Sequence, residues 1–506
     1  MLVFLKCSTV FILLFLWCLT PVYSQDNFAL PITYKNVSAT NLPLKALGRN
    51  NMDAHPADID NDGDLDIIIA CEFCPNIILI NDGNGNFSDE SAARIAQPIH
   101  DSEDVGVADF DNNGSLDIIF VAEDDQINEL YLNNGQGFFS DASNRLPVTG
   151  TSNAVLTAFV NPDSFPDILI GNAGQNVVLI NDGNGNFTDE TVQRLPANLN
   201  ITQDLEWGDI NGDGFNDIVE GNENGNRLLL NDGNGFFTDV TTENLPLPPT
   251  GEETREADLG DVDGDGDLDL FFANVTFSQN RPAQNRLLLN DSTGKFIDVT
   301  TTHLPVQFLN TVDGDFVDVD ADGDLDILTA QAFSGTYQAF INEGGVFTDL
   351  TGDVFQTLPT GNGIDVEAAD FNGDGILDIY LTGFQRTDFL FFGESQVVAI
   401  SNNPEAPQAF SLEQNFPNPF NPVTDIGFRV TDFPTGGLRS GNIELIIYDI
   451  NGRQVRTLVN EPKMPGHYTV QWDATDKNGA PVASGVYIYT LRARGFTQSR
   501  KMVLMR

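Results

Sequence analysis

Asp58-Ile59-Asp60-Asn61-Asp62-Gly63-Asp64-Leu65-Asp66, followed at once by Ile67-Ile68-Ile69, is the stretch on which the reading of this chain turns. Carboxylates at positions one, three, five and nine, a backbone carbonyl at seven and a glycine at six for the sharp turn can wrap a hard cation such as calcium. An EF-hand begins similarly but needs a bidentate glutamate at position twelve and a helix on each side. Here the β-branched run after position nine predicts a strand, so the loop joins two strands.

The same frame recurs along the chain: Asp109, Asp111, Asn113, Gly114 and Asp117; Asp209, Asn211, Asp213, Gly214 and Asp217; Asp261, Asp263, Asp265, Gly266 and Asp269; Asp318, Asp320, Asp322, Gly323 and Asp326; Asp370, Asn372, Asp374, Gly375 and Asp378. A further copy, Phe159-Val160-Asn161-Pro162-Asp163-Ser164-Phe165-Pro166-Asp167, has lost its first carboxylate and its glycine. Loop starts at 58, 109, 159, 209, 261, 318 and 370 lie 51, 50, 50, 52, 57 and 52 residues apart, the regularity of a repeat protein. Turn-making Asp and Gly alone would explain one or two such copies, not six with one ligand frame. The expectation is about six calcium sites, with the third copy incomplete and its site in doubt.

Each loop is followed by an apolar run, an Asn/Asp/Gly turn and a returning segment, as in Asn76 to Asp89, Asn176 to Asp189 and Arg227 to Asp239. That pattern predicts a hairpin, with the returning strand running on through Val240-Thr241 in the fourth copy. Four strands in about fifty residues describe a propeller blade, and seven copies predict a seven-bladed β-propeller. The seventh copy, ending at Asp388 to Ser395, lacks a returning strand. Tyr34 to Leu44 aligns with Phe237 to Leu247, so the N-terminal segment is expected to complete that blade and remove a bare sheet edge.

These loops resemble the FG-GAP, or VCBS, repeat family, bacterial relatives of the integrin α-subunit propeller, over about three quarters of the chain. The resemblance implies calcium between the first and second strands of a blade, and recognition at a cell surface or of carbohydrate.

Beyond a proline-rich linker expected at 399–410, Ser411 onward carries Phe416-Pro417-Asn418-Pro419-Phe420-Asn421-Pro422, alternating segments such as Ile443 to Tyr448, and a basic end, Lys501-Met502-Val503-Leu504-Met505-Arg506. Short strands in about ninety residues predict a small immunoglobulin-like β-sandwich, and an ordinary accessory sandwich would read the same way. The segment 411–506 is similar to the type A sorting domain of the type IX secretion system, which resembles the immunoglobulin-like domain of the flagellar hook-capping protein. This implies the type IX machinery as a partner, and a secreted or outer-surface location in a Gram-negative bacterium, the chain being either released or anchored.

The first 24 residues, with Lys6, an apolar run from Val10 to Leu19 and small residues before Gln25, read as a signal peptide. Trp17 is too bulky for a lipid-anchoring site at Cys18, and no later apolar run is long enough to span a bilayer. Cys71 and Cys74 remain, and four residues across a tight turn bring them within disulfide range. With no βαβ pattern around them, a structural staple is expected rather than a redox pair.

Residues 25–410 hold 12 basic against 66 acidic side chains, whereas 411–506 hold 11 against 8. Solubility alone would explain an acidic domain, but these carboxylates recur at fixed spacing, which points to metal and away from nucleic acid. Five residues before each loop start stand Asp53, Asp104, Ala154, Asp204, Glu256, Asp313 and Asp365, six acids at one point on the innermost strand. They are either struts bonded to a neighbouring blade's backbone or a carboxylate-lined mouth for a cation or a hydroxyl-rich ligand, near Phe277, Phe308, Phe333 and Phe384. His55, His100, His303 and His467 share no frame that would make an active site. The function read from the sequence is a binding or adhesion module for an extracellular glycan or surface protein. The alternative is a polysaccharide lyase or glycosidase on the same scaffold.

Overall fold

Apolar runs of five to seven residues, punctuated by Asp, Asn and Gly that accept left-handed backbone, fold into short antiparallel strands throughout. The computed structural model describes residues 30–395 and 410–504, except 44–46, 249–251, 278–283, 334, 413–414, 416, 419, 431–440, 450–452, 464–465, 478–479, 483–484 and 494–495. The expected signal segment 1–24 and nearly all of the expected linker lie outside the described residues. The chain divides into two compact units, Met1–Val397 and Val398–Arg506.

In the first unit each repeat is built of four antiparallel strands; the third to sixth make separate four-stranded sheets, and the seventh, first and second are linked edge to edge, where Asp378–Thr387 pairs with Leu47–Ala57 and Asp66–Cys74 with His100–Ala108. The fourth runs Thr202–Gly208, Asp217–Asn222, Arg227–Asn231 and Phe237–Asp239, with Gly208 opposite Asp217, Ile218 opposite Leu229 and Asn231 opposite Phe237. The sheet containing Gly363–Ala369 takes its fourth strand from the N-terminus: Ile32–Asn36 pairs antiparallel with Phe389–Ser395, Tyr34 opposite Gly393. Tyr34 is buried and its hydroxyl donates to the Val319 carbonyl at 3.0 Å, tying this strand to the sixth loop.

The first strands, Leu47–Ala57, His100–Ala108, Ser152–Ala158, Thr202–Gly208, Thr254–Gly260, Thr311–Val317 and Gly363–Ala369, each pack against the next, and the last packs against the first. The apolar cores lie between adjacent sheets, where Ile68, Ile78, Ile118 and Phe120 meet between the first and second. Each first strand carries a β-bulge near its start, for example between Ser102 and Asp104 and between Thr311 and Asp313. A bulge inserts one unpaired residue and re-aims the side chains beside it.

The returning strand is shorter than its sequence predicts. It ends at the Asp, and a helical turn follows, Thr241–Asn244 in the fourth repeat. The Asp239 carboxylate accepts the Thr241 amide at 3.0 Å, and the Thr241 hydroxyl accepts the Leu228 amide at 3.0 Å. These side-chain bonds replace the sheet ladder that the backbone would otherwise have continued.

In the second unit, Phe410–Leu412, Thr424–Val430 and Gly466–Trp472 form one sheet, and Gln454–Lys463, Gly441–Asp449, Gly485–Ala493 and Phe496–Leu504 form another. Their shared core includes Phe428, Leu445, Trp472, Tyr489 and Leu491. Among the described residues no helix is long and apolar enough to cross a membrane.

Candidate functional site

Two kinds of acidic site emerge, the loops and the wall of a central cavity. In each intact loop the first aspartate folds the turn by accepting amides ahead of it. Asp209 takes the Asp213 amide at 3.0 Å and the Gly214 amide at 2.9 Å. The glycine at position six is left-handed throughout, from φ +85° at Gly375 to +98° at Gly266 and Gly323. Position four is left-handed as well, filled by Asn61, Asn112, Gly212, Gly264, Ala321 and Gly373. Pro162 stands there in the third copy, and its ring fixes φ near −65°, so that loop is closed to the backbone conformation of the others. The sequence reading noted the missing carboxylate and glycine but not this proline.

The loops fit a hard cation. Asp58, Asp60 and Asp62 each offer a carboxylate oxygen within 4.8 Å of the others, as do Asp261, Asp263 and Asp265, and Asp109, Asp111 and Asp117. Asp60 Oδ1 and Asp111 Oδ1 are buried with no hydrogen-bond partner, the orphaned acceptors a cation would engage. Asp60 Oδ2 meets the Arg94 guanidinium at 3.2 Å.

The ninth position has a further role. Asp66 is buried; its Oδ2 accepts the Ile59 amide at 3.3 Å and its Oδ1 the Asn81 amide at 2.9 Å, so it straps the loop to the following hairpin. Asp167 of the third copy keeps both bonds, from Val160 at 3.1 Å and Asn181 at 2.8 Å. A strap does not depend on a cation, which explains its retention where the first carboxylate is gone. Burial pushes these carboxyls up, to about 7 at Asp66, Asp117, Asp269, Asp326 and Asp378 and to about 6 at Asp167 and Asp217.

Loops and hairpins are also latched across sheets by side chains the sequence reading passed over. Asn81, Asn133, Asn181, Asn290 and Asn342 donate to the position-two carbonyl of the preceding repeat's loop, at 2.7–2.8 Å. Arg94, Arg145 and Arg194, closing their helical turns, donate to hairpin-turn carbonyls of the next repeat.

All six acids counted from the loop starts line one cavity of about 510 Å³, bounded by residues from every first strand. Five accept an amide of the next strand in the ring: Asp53 from Val105 at 3.0 Å, Asp104 from Val155 at 2.6 Å, Asp204 from Ala257 at 3.1 Å, Asp313 from Val366 at 2.7 Å, and Asp365 from Ala54 at 3.2 Å. These five form a belt of struts between neighbouring first strands. Two positions carry no such strut among the described residues, Ala154 and Glu256.

Two residues further along the same strands stand His55, Glu206, Asp258, Asp315 and Glu367, a second ring the sequence reading missed although a period of two predicts it. Asp258 bonds the Phe316 amide. Burial, then the charges of neighbouring carboxylates, raises Asp53, Asp204, Glu206, Glu256, Asp315, Asp365 and Glu367 well above the carboxylate range, and burial raises Asp258 and Asp313 to about 7. Burial lowers His55. Arg255 also lines the wall, held by Glu223 at 3.0 Å and stacked on Phe277. Of the aromatics, Phe277, Phe333 and Phe384 line the cavity and Phe308 does not; Phe277 and Phe333 pack edge to face at 5.1 Å. Cys71 and Cys74 form a disulfide with Cα atoms 5.3 Å apart.

Comparison with known proteins accords with this architecture. The FG-GAP-like repeat profile matches residues 58–120, 160–220, 209–272, 261–329 and 318–381, and the FlgD Ig-like domain profile matches 438–495. No curated protein matches the chain. Among solved structures it is similar to an Agrocybe aegerita lectin that recognises non-reducing terminal N-acetylglucosamine, at 18% identity over 61% of this chain and 82% of that one, TM-score 0.38. It is similar to PorZ, a surface component of the type-IX secretion system of Porphyromonas gingivalis, at 13% identity over 87% of this chain and 58% of that one, TM-score 0.43. The V. cholerae biofilm matrix protein Bap1 is similar at 11% identity over 93% and 70%, TM-score 0.32.

Proposed function

Since the chain belongs to the FG-GAP-like repeat family, whose profile matches more than half of its length, we propose that it is a calcium-loaded seven-bladed propeller acting as a binding module outside the cell. Calcium in the six intact loops would neutralise their clustered carboxylates and hold each loop against its hairpin. This chain's own bonds do the rest. The position-nine straps, the asparagine latches and the belt of struts fix the first strands, and with them the cavity wall.

The observation that carries the reading is the cavity itself. Its struts are spoken for, but Glu206, Asp315 and Glu367 of the second ring line the same cavity as the exposed rings of Phe277 and Phe333. Carboxyls and flat apolar faces lining one cavity suit a hydroxyl-rich ligand such as a glycan. A surface protein presenting a basic or hydroxylated side chain is the other partner of that chemistry. The disulfide supports an oxidising compartment. The FlgD Ig-like match, with the Phe-Pro-Asn-Pro-Phe motif and basic end, supports delivery to the surface through residues 411–506 by type IX secretion.

The test is a glycan-array and calorimetric screen of the mature protein, with Glu367→Gln plus Phe333→Ala as the variant. The expected result is a glycan bound by the wild type and at least tenfold more weakly by the variant at an unchanged Tm. Undiminished binding by the variant would remove the cavity from the account. Release of new reducing ends from a polysaccharide would replace the binding module with an enzyme.

A further inference from the structure

Far from the loops, at the opposite end of the first strands, five carboxylates from the first and second repeats converge. Strand Asp66–Cys74 extends past its own sheet and pairs with His100–Ala108, which places Glu72 directly opposite Asp101. Like charges directly opposed across a strand pair destabilise it. Glu103 follows two residues after Asp101, and Glu123 and Asp124 lie in the turn that follows Asp117–Ala122. Oxygens of Glu72, Asp101 and Glu103 lie within 4.8 Å of one another, as do those of Asp101, Glu123 and Asp124.

Asp101 is the member common to both groups, and it is 2% exposed. Its Oδ2 accepts the Asp124 amide at 2.9 Å. Its Oδ1 is buried and has no hydrogen-bond partner. A buried carboxylate oxygen left unpaired among four other carboxylates is costly unless a cation takes it. The charge of Arg255 acts on Glu103 and Glu123, and its guanidinium is bonded to Glu223 at 3.0 Å and Glu253 at 3.4 Å, but it does not bond Asp101 Oδ1. The Cys71–Cys74 disulfide brackets Glu72 on both sides, and Phe73 between them is left-handed at φ +53°. The staple thereby fixes the segment that sets Glu72 against its like-charged neighbour.

We propose that Asp101, with Glu72, Glu103, Glu123 and Asp124, binds one hard divalent cation that joins the first and second repeats. Oxygen donors of this kind suit calcium. The site is separate from the repeat loops: Asp101 precedes Asp109 by about 26 Å of strand.

Calcium binding to the mature chain, measured by calorimetry and by metal analysis after desalting, tests this with Glu72→Gln plus Glu103→Gln and, separately, Asp101→Asn. The expected result is one calcium equivalent fewer per chain in either variant. In chelator the double variant should melt no lower than the wild type, because opposed charges have been removed, and calcium should raise its Tm by less. If the loops bind no calcium, one equivalent would still remain on the wild type and none on the variants, so the two claims fail separately. Equal calcium stoichiometry in wild type and both variants would overturn the site. So would a double variant that melts lower in chelator and gains as much from calcium as the wild type.

Discussion

Replacing Asp365 by alanine opens the belt of struts at the point where the ring of first strands meets its own beginning. Asp365 Oδ2 accepts the amide of Ala54, a residue with no exposed surface, across a sequence separation of 311 residues. Deleting the acceptor strands a buried N–H, which costs about 1–3 kcal/mol. Burial, then the charges of Asp53, Asp313 and Glu367, pushes the Asp365 carboxyl well up, so this position disfavours an acid and the net loss on removing it falls toward the lower end of that range. At roughly 2.1 cal/mol/K of unfolding entropy per residue, a cooperative unit of this length should lose about 1–3 °C in Tm. Asp365→Asn keeps an acceptor oxygen and removes an acid from a position that disfavours its ionisation, so its Tm should match or exceed that of the wild type. Differential scanning calorimetry in calcium at pH 7.5 measures both. An alanine variant with an unshifted melt, or an asparagine variant that falls as far as alanine, would show that Asp365 is not a strut.

The ring of first strands predicts a pH dependence. Asp258 and Asp313 are raised to about 7, chiefly by burial, so between pH about 4 and about 7 the folded state binds more protons than the unfolded chain, and stability falls as pH rises through that window. In chelator, Tm should be higher at pH 5.5 than at pH 7.5; a Tm that climbs over that interval contradicts the assignment. Removing residues 30–43 deprives the sheet ending at Phe389–Ser395 of its closing strand and of buried Leu30, Ile32, Tyr34 and Leu42, so aggregation or early melting is expected, whereas removing 411–506 should leave the first unit's melt in place. Equal damage from both deletions would refute that division. Arg194→Met keeps the buried stem but loses donors to Asn234 and Gly235 at 2.8 and 3.1 Å, and a loss of about 1–2 kcal/mol by urea denaturation is expected. No change in the urea midpoint would mean that the latch carries no load.

Local features were legible in the sequence, and features made by pairing distant repeats were not. The loops could be read because their carboxylates and left-handed glycines lie within nine consecutive residues. The closing strand could be read because Tyr34 to Leu44 copies an internal segment. The six acids could be counted, but only the structure reveals that Asp104 serves Val155 and Asp365 serves Ala54, since those partners come from other repeats. Glu206 and Glu367 needed only a period of two, once a strand direction was known. Pro162 was in plain view, yet its meaning depends on position four being left-handed in the other loops. The meeting of Glu72 with Asp101 follows from an inter-repeat register that no spacing within either repeat reveals.

Calcium in the repeat loops is the central claim, and a pair of thermal melts tests it most directly. For extracellular-type sites with Kd of roughly 0.1–1 mM, 10 mM calcium stabilises the folded state by about 1.4–2.7 kcal/mol per site. With six intact loops, the first unit should melt many degrees higher in 10 mM calcium than in excess chelator, and Asp209→Ala plus Asp261→Ala should shrink that gap. Coincident melts in calcium and chelator would contradict the account.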